Sequence, residues 1–255
     1  MVCRPSKIVS MGGWKLKGWK FVTVVIVGSL VLLTLLFLVS PVFYIEDIVI
    51  QGNARVTTTE IRERLGLSGT SNILLLNTNA ARSRVMGNLY IGEVTFRRDL
   101  PRRLYVTVSE RRLSAYVEHT PGTILILDEE GRVLGTRAQP VEQLPILEGV
   151  QFTRFQLGEI LEVQNATDFA NIVLYAQLLI THDLIHKITN INVSDPSNIR
   201  ILVNYMEFHV GGISDADEKV RTIAAMLAQT DEYGTMRGYV DMRTRRTEYF
   251  FVLLQ

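Results

Sequence analysis

The sequence predicts an α+β protein: one membrane-spanning helix near the N-terminus, then a small β-α-α-β-β unit, then a β-rich region with flanking helices. Three observations carry this. No charged side chain occurs between Phe21 and Ile45. A helix capping box, two glycine stops and an alternating strand then follow within about 70 residues. Beyond residue 112, short apolar runs bounded by turn residues outnumber helical stretches. With 47% hydrophobic and 21% charged residues, the chain is too apolar to remain disordered.

The first element is the helix. Within Phe21–Val39 only Thr23, Gly28, Ser29 and Thr34 interrupt a run of Phe, Val, Ile and Leu. Nineteen helical residues span about 28 Å, close to the hydrocarbon thickness of a bilayer. Pro41 biases Ser40 out of the helical region and marks the stop. Trp14 and Trp19 precede the run, and Phe43 and Tyr44 follow it, an aromatic belt at each end. The apolar core exceeds that of a cleaved secretory signal, and Leu38 is bulky where a cleavage site needs a small residue. An uncleaved single-pass anchor is therefore expected.

Charge sets its orientation. The formal net charge of +1 hides a split, because residues 1–20 carry five basic side chains and no acid, leaving the remainder at −4. The basic tail is expected in the cytoplasm and the body outside. A mildly acidic body lacks the basic footprint of a nucleic-acid binder. Cys3 is the single cysteine, which excludes an intrachain disulfide framework, a CxxC redox pair and a cysteine zinc site.

Next to the membrane, Tyr44–Ile50 reads as a strand and Gln51-Gly52-Asn53 as a turn. Thr57 and Glu60 form a capping box, with Val56 and Ile61 as its hydrophobic staple. That helix ends at Leu65, where Gly66 can take the left-handed conformation. Asn77 can cap a second helix through Ala80, Ala81, Val85 and Met86, ended by Gly87. Ile91–Phe96 and Leu104–Glu110 make a hairpin around Pro101, and Leu104, Val106 and Val108 alternate with polar positions.

These residues resemble the POTRA domain of the FtsQ/DivIB family of bacterial division proteins. The carriers are Ile48-Val-Ile-Gln-Gly-Asn53, the hairpin Pro101, Val106-Thr-Val-Ser-Glu110-Arg111 and Ala115. Leu113 and Leu100 depart from the family's usual proline and aromatic at those positions. From the residues alone, Glu110 and Arg111 read as an exposed charged corner, with a structural ion pair at the domain junction as the alternative.

In the outer region, Leu113–Glu118 and Thr123–Leu127 read as strands, and Asp128-Glu-Glu-Gly131 as a solvated turn before Arg132-Val-Leu134. Thr167–Ile180 places Phe169, Val173, Ala176 and Ile180 at helical spacing, so it should cover one sheet face. Ile188–Val193, Ile199–Val203 and Phe208–Val210 follow as strands. Ser214 is expected to cap a helix over Asp215–Gln229, with Val220, Ile223, Ala224, Met226 and Leu227 buried. Gly238–Met242 and Glu248–Leu254 close the region. Leu144-Pro-Ile-Leu-Glu-Gly149 and Val240-Asp-Met-Arg243 resemble family motifs, extending the resemblance over nearly all of residues 43–255. The lack of an extension beyond the last strand leans the comparison toward FtsQ.

Catalytic signatures are missing. His182 and His186 stand four apart, but Asp183 replaces the glutamate of HExxH and no third ligand is evident. No GxSxG, Walker A or GxGxxG motif occurs. No cofactor, metal or enzyme activity is expected, and the outer body reads as a binding module. Tyr249-Phe-Phe-Val-Leu-Leu254 is apolar on both faces. It is either buried between sheet and helices or an edge to which a partner adds a strand.

The resemblance implies the second, with a segment of FtsB (DivIC in other bacteria), itself a coiled-coil partner of FtsL, received along the outermost strand and the helix before it. The implied contact residues are Tyr239, Asp241, Arg243, Arg245, Arg246, Tyr249, Phe250, Phe251, Val252 and Leu253. Indirect partners would be the septal peptidoglycan synthase and its glycosyltransferase partner. The expected divisions are a basic tail (1–20), the transmembrane helix (21–42), the POTRA domain (43–112) and an FtsQ-type β-domain (113–255). The alternative is an anchored extracytoplasmic sensor with a ligand pocket between the two domains.

Overall fold

With no proline inside it, the apolar run forms one helix, α1 (Lys15–Val39), whose residues Trp19–Val39 are long and apolar enough to cross a bilayer. Ser40 then caps a single 3₁₀ turn, Pro41–Phe43, by accepting from Val42 N. The computed structural model describes residues 15–229, 237–244 and 251–253.

The membrane-proximal unit contains β1 (Asp47–Gln51), α2 (Thr58–Leu65), α3 (Thr78–Val85), β2 (Ile91–Asp99) and β3 (Arg103–Glu110). Its sheet has the order β1-β3-β2, with β1 parallel and β2 antiparallel to β3. Thr57 accepts from Glu60 N and Gly66 sits at φ 61, the expected cap and stop. Ile61, Leu65, Ala81 and Val85 bury against Val94, Leu104, Val106 and Val108. Gly52 is obligatory: at φ 84, a Cβ there would lie 2.2 Å from the Val108 carbonyl oxygen. Asn53 beside it donates to Val56 O (2.9 Å), tying this turn to the start of α2.

The outer body holds β4 (Leu113–Thr120), β5 (Thr123–Asp128), β6 (Val133–Arg137), β7 (Ile146–Glu148), β8 (Phe152–Arg154), β9 (Glu162–Val163) and α4 (Ala166–Thr181). Then come β10 (Asn190–Asn192), β11 (Ile199–Val203), β12 (Met206–Gly211), α5 (Ala216–Gln229), β13 (Gly238–Asp241) and β14 (Phe251–Leu253). Among the described residues nine strands make one sheet, ordered β14-β13-β12-β11-β10-β7-β4-β5-β6. Helices α4 and α5 pack against each other, α4 also against β4 and α5 against β12.

Several local expectations shift. The first strand begins at Asp47, because Tyr44 instead makes an isolated bridge to Asn72. The buried stripe of α4 is Phe169, Ile172, Tyr175, Ala176 and Leu179, with Val173 and Ile180 only partly covered. Helix α5 starts at Ala216 and not under a Ser214 cap. Asp215 takes φ 57, and its carbonyl accepts the first intrahelical bond, from Lys219 N at 3.0 Å. Lys219 is buried in that helix and donates Nζ to Val210 O (2.7 Å), which joins the helix to the end of β12.

Candidate functional site

Two places gather charged side chains. The first is the junction between the two units, where only Arg111 and Arg112 separate β3 from β4. The Glu110 side chain is 9% exposed and accepts from the backbone N–H of Ala54 (2.8 Å), Arg55 (2.9 Å) and Val56 (2.9 Å). Burial pushes its carboxyl up, but those three N–H groups and the Arg55 charge outweigh burial and hold it below the usual range. Arg55 then reaches across to Glu142 of the outer body, with Nε at 3.1 Å and Nη2 at 2.5 Å. Glu142 is placed by the buried Tyr116, whose hydroxyl accepts from Val141 N and Glu142 N at 3.2 Å each.

Arg111 points the other way, toward Asp128 (3.1 Å) and Glu130 (3.1 Å). Asp128 is 1% exposed and also accepts from Glu130 N and Arg132 N, so its charge is paired and hydrogen-bonded. At Glu110-Arg111 the second of the two expectations holds, an ion pair at the junction, whereas the solvated turn expected at Asp128 is corrected. Residues far apart in sequence converge there and exclude solvent. Tyr90 packs against both hydrophobic cores at this seam. A cleft of about 610 Å³ opens beside it, lined by Arg55, Arg64, Arg137, Glu60 and Glu142 among others.

The second place is the far end of the nine-stranded sheet. Strand β4 buries Leu113–Val117 on both faces, whereas β11, β12 and β13 alternate buried and part-exposed positions. Ile199, Ile201, Val203, Met206, Phe208, Val210 and Val240 form the covered face. The open face carries a polar and aromatic band set by strand register. Arg200 pairs with His209, His209 with Asp241, Glu207 with Tyr239, and Tyr239 with Val252.

Along that band Arg200 meets Glu207 at 3.2 Å, and Glu207 lies 3.2 Å from His209 Nε2. The His209 and Tyr239 rings stack at 5.0 Å. Asp241 takes a two-pronged contact from Arg243, Nε at 2.9 Å and Nη2 at 2.7 Å. The Arg243 hydrogen bonds hold the Asp241 carboxyl down to about 2, against the opposing effect of partial burial. At the end of the sheet β14 pairs antiparallel with β13, and among the described residues no strand lies on its other side.

Of the residues named from sequence, Tyr239, Asp241, Arg243 and Val252 come together on this face, and Val252 is 42% exposed. Phe251 and Leu253 lie in β14 itself. Arg245, Arg246, Tyr249 and Phe250 fall outside the described residues. Sequence reasoning missed Arg200, Glu207 and His209, although the alternation in β11 and β12 puts them on the uncovered face. His182 and His186, four apart in sequence, have separate partners: His182 meets Asp217 (3.0 Å) and His186 the Gln143 carbonyl (2.9 Å).

A family profile described as POTRA domain, FtsQ-type, matches residues 43–111. This defines a POTRA-domain protein in which one helix long and apolar enough to cross a bilayer leads into the POTRA unit, with a β-sheet body beyond it. The relatives extend the likeness along the chain. Cell division protein DivIB of Clostridium botulinum is 25% identical over 241 residues, which is 93% of each chain. DivIB of Clostridium tetani is 23% identical over 225 residues, covering 87% of this chain and 84% of the relative. Cell division protein FtsQ of Rhizobium meliloti is 31% identical over 108 residues, 42% of this chain and 35% of the relative. Residues 43–111 thus form an FtsQ-type POTRA unit, and along most of its length the chain is similar to DivIB and, over a shorter stretch, to FtsQ cell division proteins, which supports a role in cell division.

Proposed function

We propose that the protein is a non-catalytic division scaffold that captures the FtsB/FtsL pair at the septum by strand addition to β14. The observation carrying this is the position of β14: it ends the sheet, and among the described residues only β13 borders it. Unpaired N–H and C=O groups along such a strand supply affinity, and side chains beside it supply register. The Arg200–Glu207–His209–Tyr239–Asp241–Arg243 band runs inward from β13, the strand beside β14, and offers charges and an aromatic surface to steer the partner. In this reading the N-terminal tail is cytoplasmic, the body is extracytoplasmic, and the septal peptidoglycan synthase with its glycosyltransferase partner is reached through FtsB and FtsL. The domain divisions follow the sequence expectation: tail, anchor, POTRA unit over 43–112 and β-domain over 113–255.

The test is co-purification of FtsB and FtsL with the full chain carrying Phe251→Lys or Val252→Lys. Capture is expected to fall at least about tenfold, because charge on an edge strand opposes pairing. Undiminished capture by a folded variant would reject strand addition. A second reading, an anchored ligand-binding protein, has one observation in its favour, the junction cleft of about 610 Å³. A small molecule co-purifying with the intact protein, without FtsB or FtsL, would favour it.

A further inference from the structure

The end of the POTRA unit nearest α1 is built differently from the rest of its surface. From Leu65 to Ala81 the sequence holds no charged residue. Part of this stretch is strapped to the anchor's exit. Asn72 Nδ2 donates to Leu38 O (2.8 Å), Ile45 N to Ser71 O (2.9 Å) and Ile73 N to Phe43 O (2.9 Å). The turn between β2 and β3 is fastened to the same place. Glu46 N donates to Arg102 O, Arg102 Nε to Val42 O (3.2 Å), and Arg98 Nη2 to Leu76 O (2.8 Å).

Leu38 belongs to the bilayer-length span Trp19–Val39, so these bonds hold the loop and the turn at the depth where the helix leaves the hydrocarbon. Both carry bare leucines: Leu75 is 64% exposed and Leu100 is 56% exposed. A cleft of about 410 Å³ separates Val39 from residues 70–77, with Leu75 and Leu76 in its lining. Large apolar side chains clustered on a surface mark a contact site. The only apolar phase that reaches this end is the membrane that α1 crosses. Acyl chains and glycerol backbones are the medium in which such leucines lose no free energy by being uncovered.

We propose that this face of the POTRA unit rests on the bilayer, with Leu75 and Leu100 inserted among the lipids around α1, and that the contact fixes how the body stands above the membrane. The proposal depends on α1 spanning the bilayer. Its test uses the full chain with Cys3→Ser, bearing one fluorophore-labelled cysteine from L32C, L75C, L100C or Y205C. The protein is reconstituted in phosphatidylcholine/phosphatidylglycerol vesicles that contain acyl-chain nitroxide lipid. Tyr205 is 65% exposed in the turn between β11 and β12 and serves as the aqueous reference. Labels at L75C and L100C are expected to be quenched by the nitroxide lipid and shielded from aqueous iodide at least about threefold relative to Y205C. Quenching at L32C with L75C and L100C as iodide-accessible as Y205C would overturn the docking while leaving the anchor intact. Loss of quenching at L32C as well would remove the anchor and the docking together.

Discussion

Replacing Glu110 by alanine should uncouple the turn before α2 from the end of β3. The carboxylate serves three backbone donors, at Ala54, Arg55 and Val56, and each of these bonds is charge-assisted. Ala54 and Arg55 are exposed, so water can replace the carboxylate there. Val56 is buried in the staple against Ile61, and its N–H would be left without an acceptor. An unpaired buried donor costs roughly 1–3 kcal/mol, so Glu110→Ala should lose about 2–3 kcal/mol in all. Glu110→Gln keeps one acceptor oxygen and should lose about 1 kcal/mol. Chemical denaturation of the variants checks the size, and amide exchange at residues 54–56 checks the place. The pH dependence has a fixed sign. Because the folded carboxyl lies below its ordinary value, its stabilisation is present above the unfolded value and is lost as pH falls through the folded one. Glu110→Gln should lack that acid-side component. An alanine variant within about 0.5 kcal/mol of the parent would refute the reasoning.

Other outcomes follow from single contacts. Gly52→Ala should destabilise the POTRA unit by at least about 2 kcal/mol, read in thermal unfolding, since the residue is left-handed and its Cβ would strike the Val108 carbonyl. Arg243→Ala should raise the Asp241 carboxyl from about 2 toward an ordinary aspartate value, visible in a carbon-detected titration. The stabilisation tied to that pair is present above the unfolded aspartate value and fades as pH falls toward about 2. Tyr116→Phe should cost about 1 kcal/mol, because Val141 N and Glu142 N lose their shared acceptor and only the exposed Val141 is free to turn to water. It should also weaken the Arg55–Glu142 link, seen as a smaller double-mutant coupling between those two residues.

What was legible in the sequence was local. Thr57 as cap, Gly66 as stop, Pro41 after the anchor and the alternation of Leu104, Val106 and Val108 each act over a few residues, and each stands where expected. The obligatory Gly52 belongs to a motif readable in one dimension, but its reason, the Val108 carbonyl, lies in another strand. Glu110 stayed undecided between an exposed corner and a junction contact for the same cause: its partners are more than fifty residues upstream, and only the folded sheet brings them near. Asp128 looked like one of three surface acids until Arg111 and two backbone N–H groups surrounded it. The polar band depends on how β11, β12 and β13 are registered, with β12 and β13 parallel, so no local pattern could join His209 to Asp241.

The most direct trial of the proposed role is amide hydrogen exchange of the full chain, alone and with the FtsB/FtsL pair bound. Strand addition should slow exchange across residues 251–253 at least about tenfold, as newly paired N–H groups become protected. Stable binding of the pair with unchanged exchange along 251–253 would contradict it.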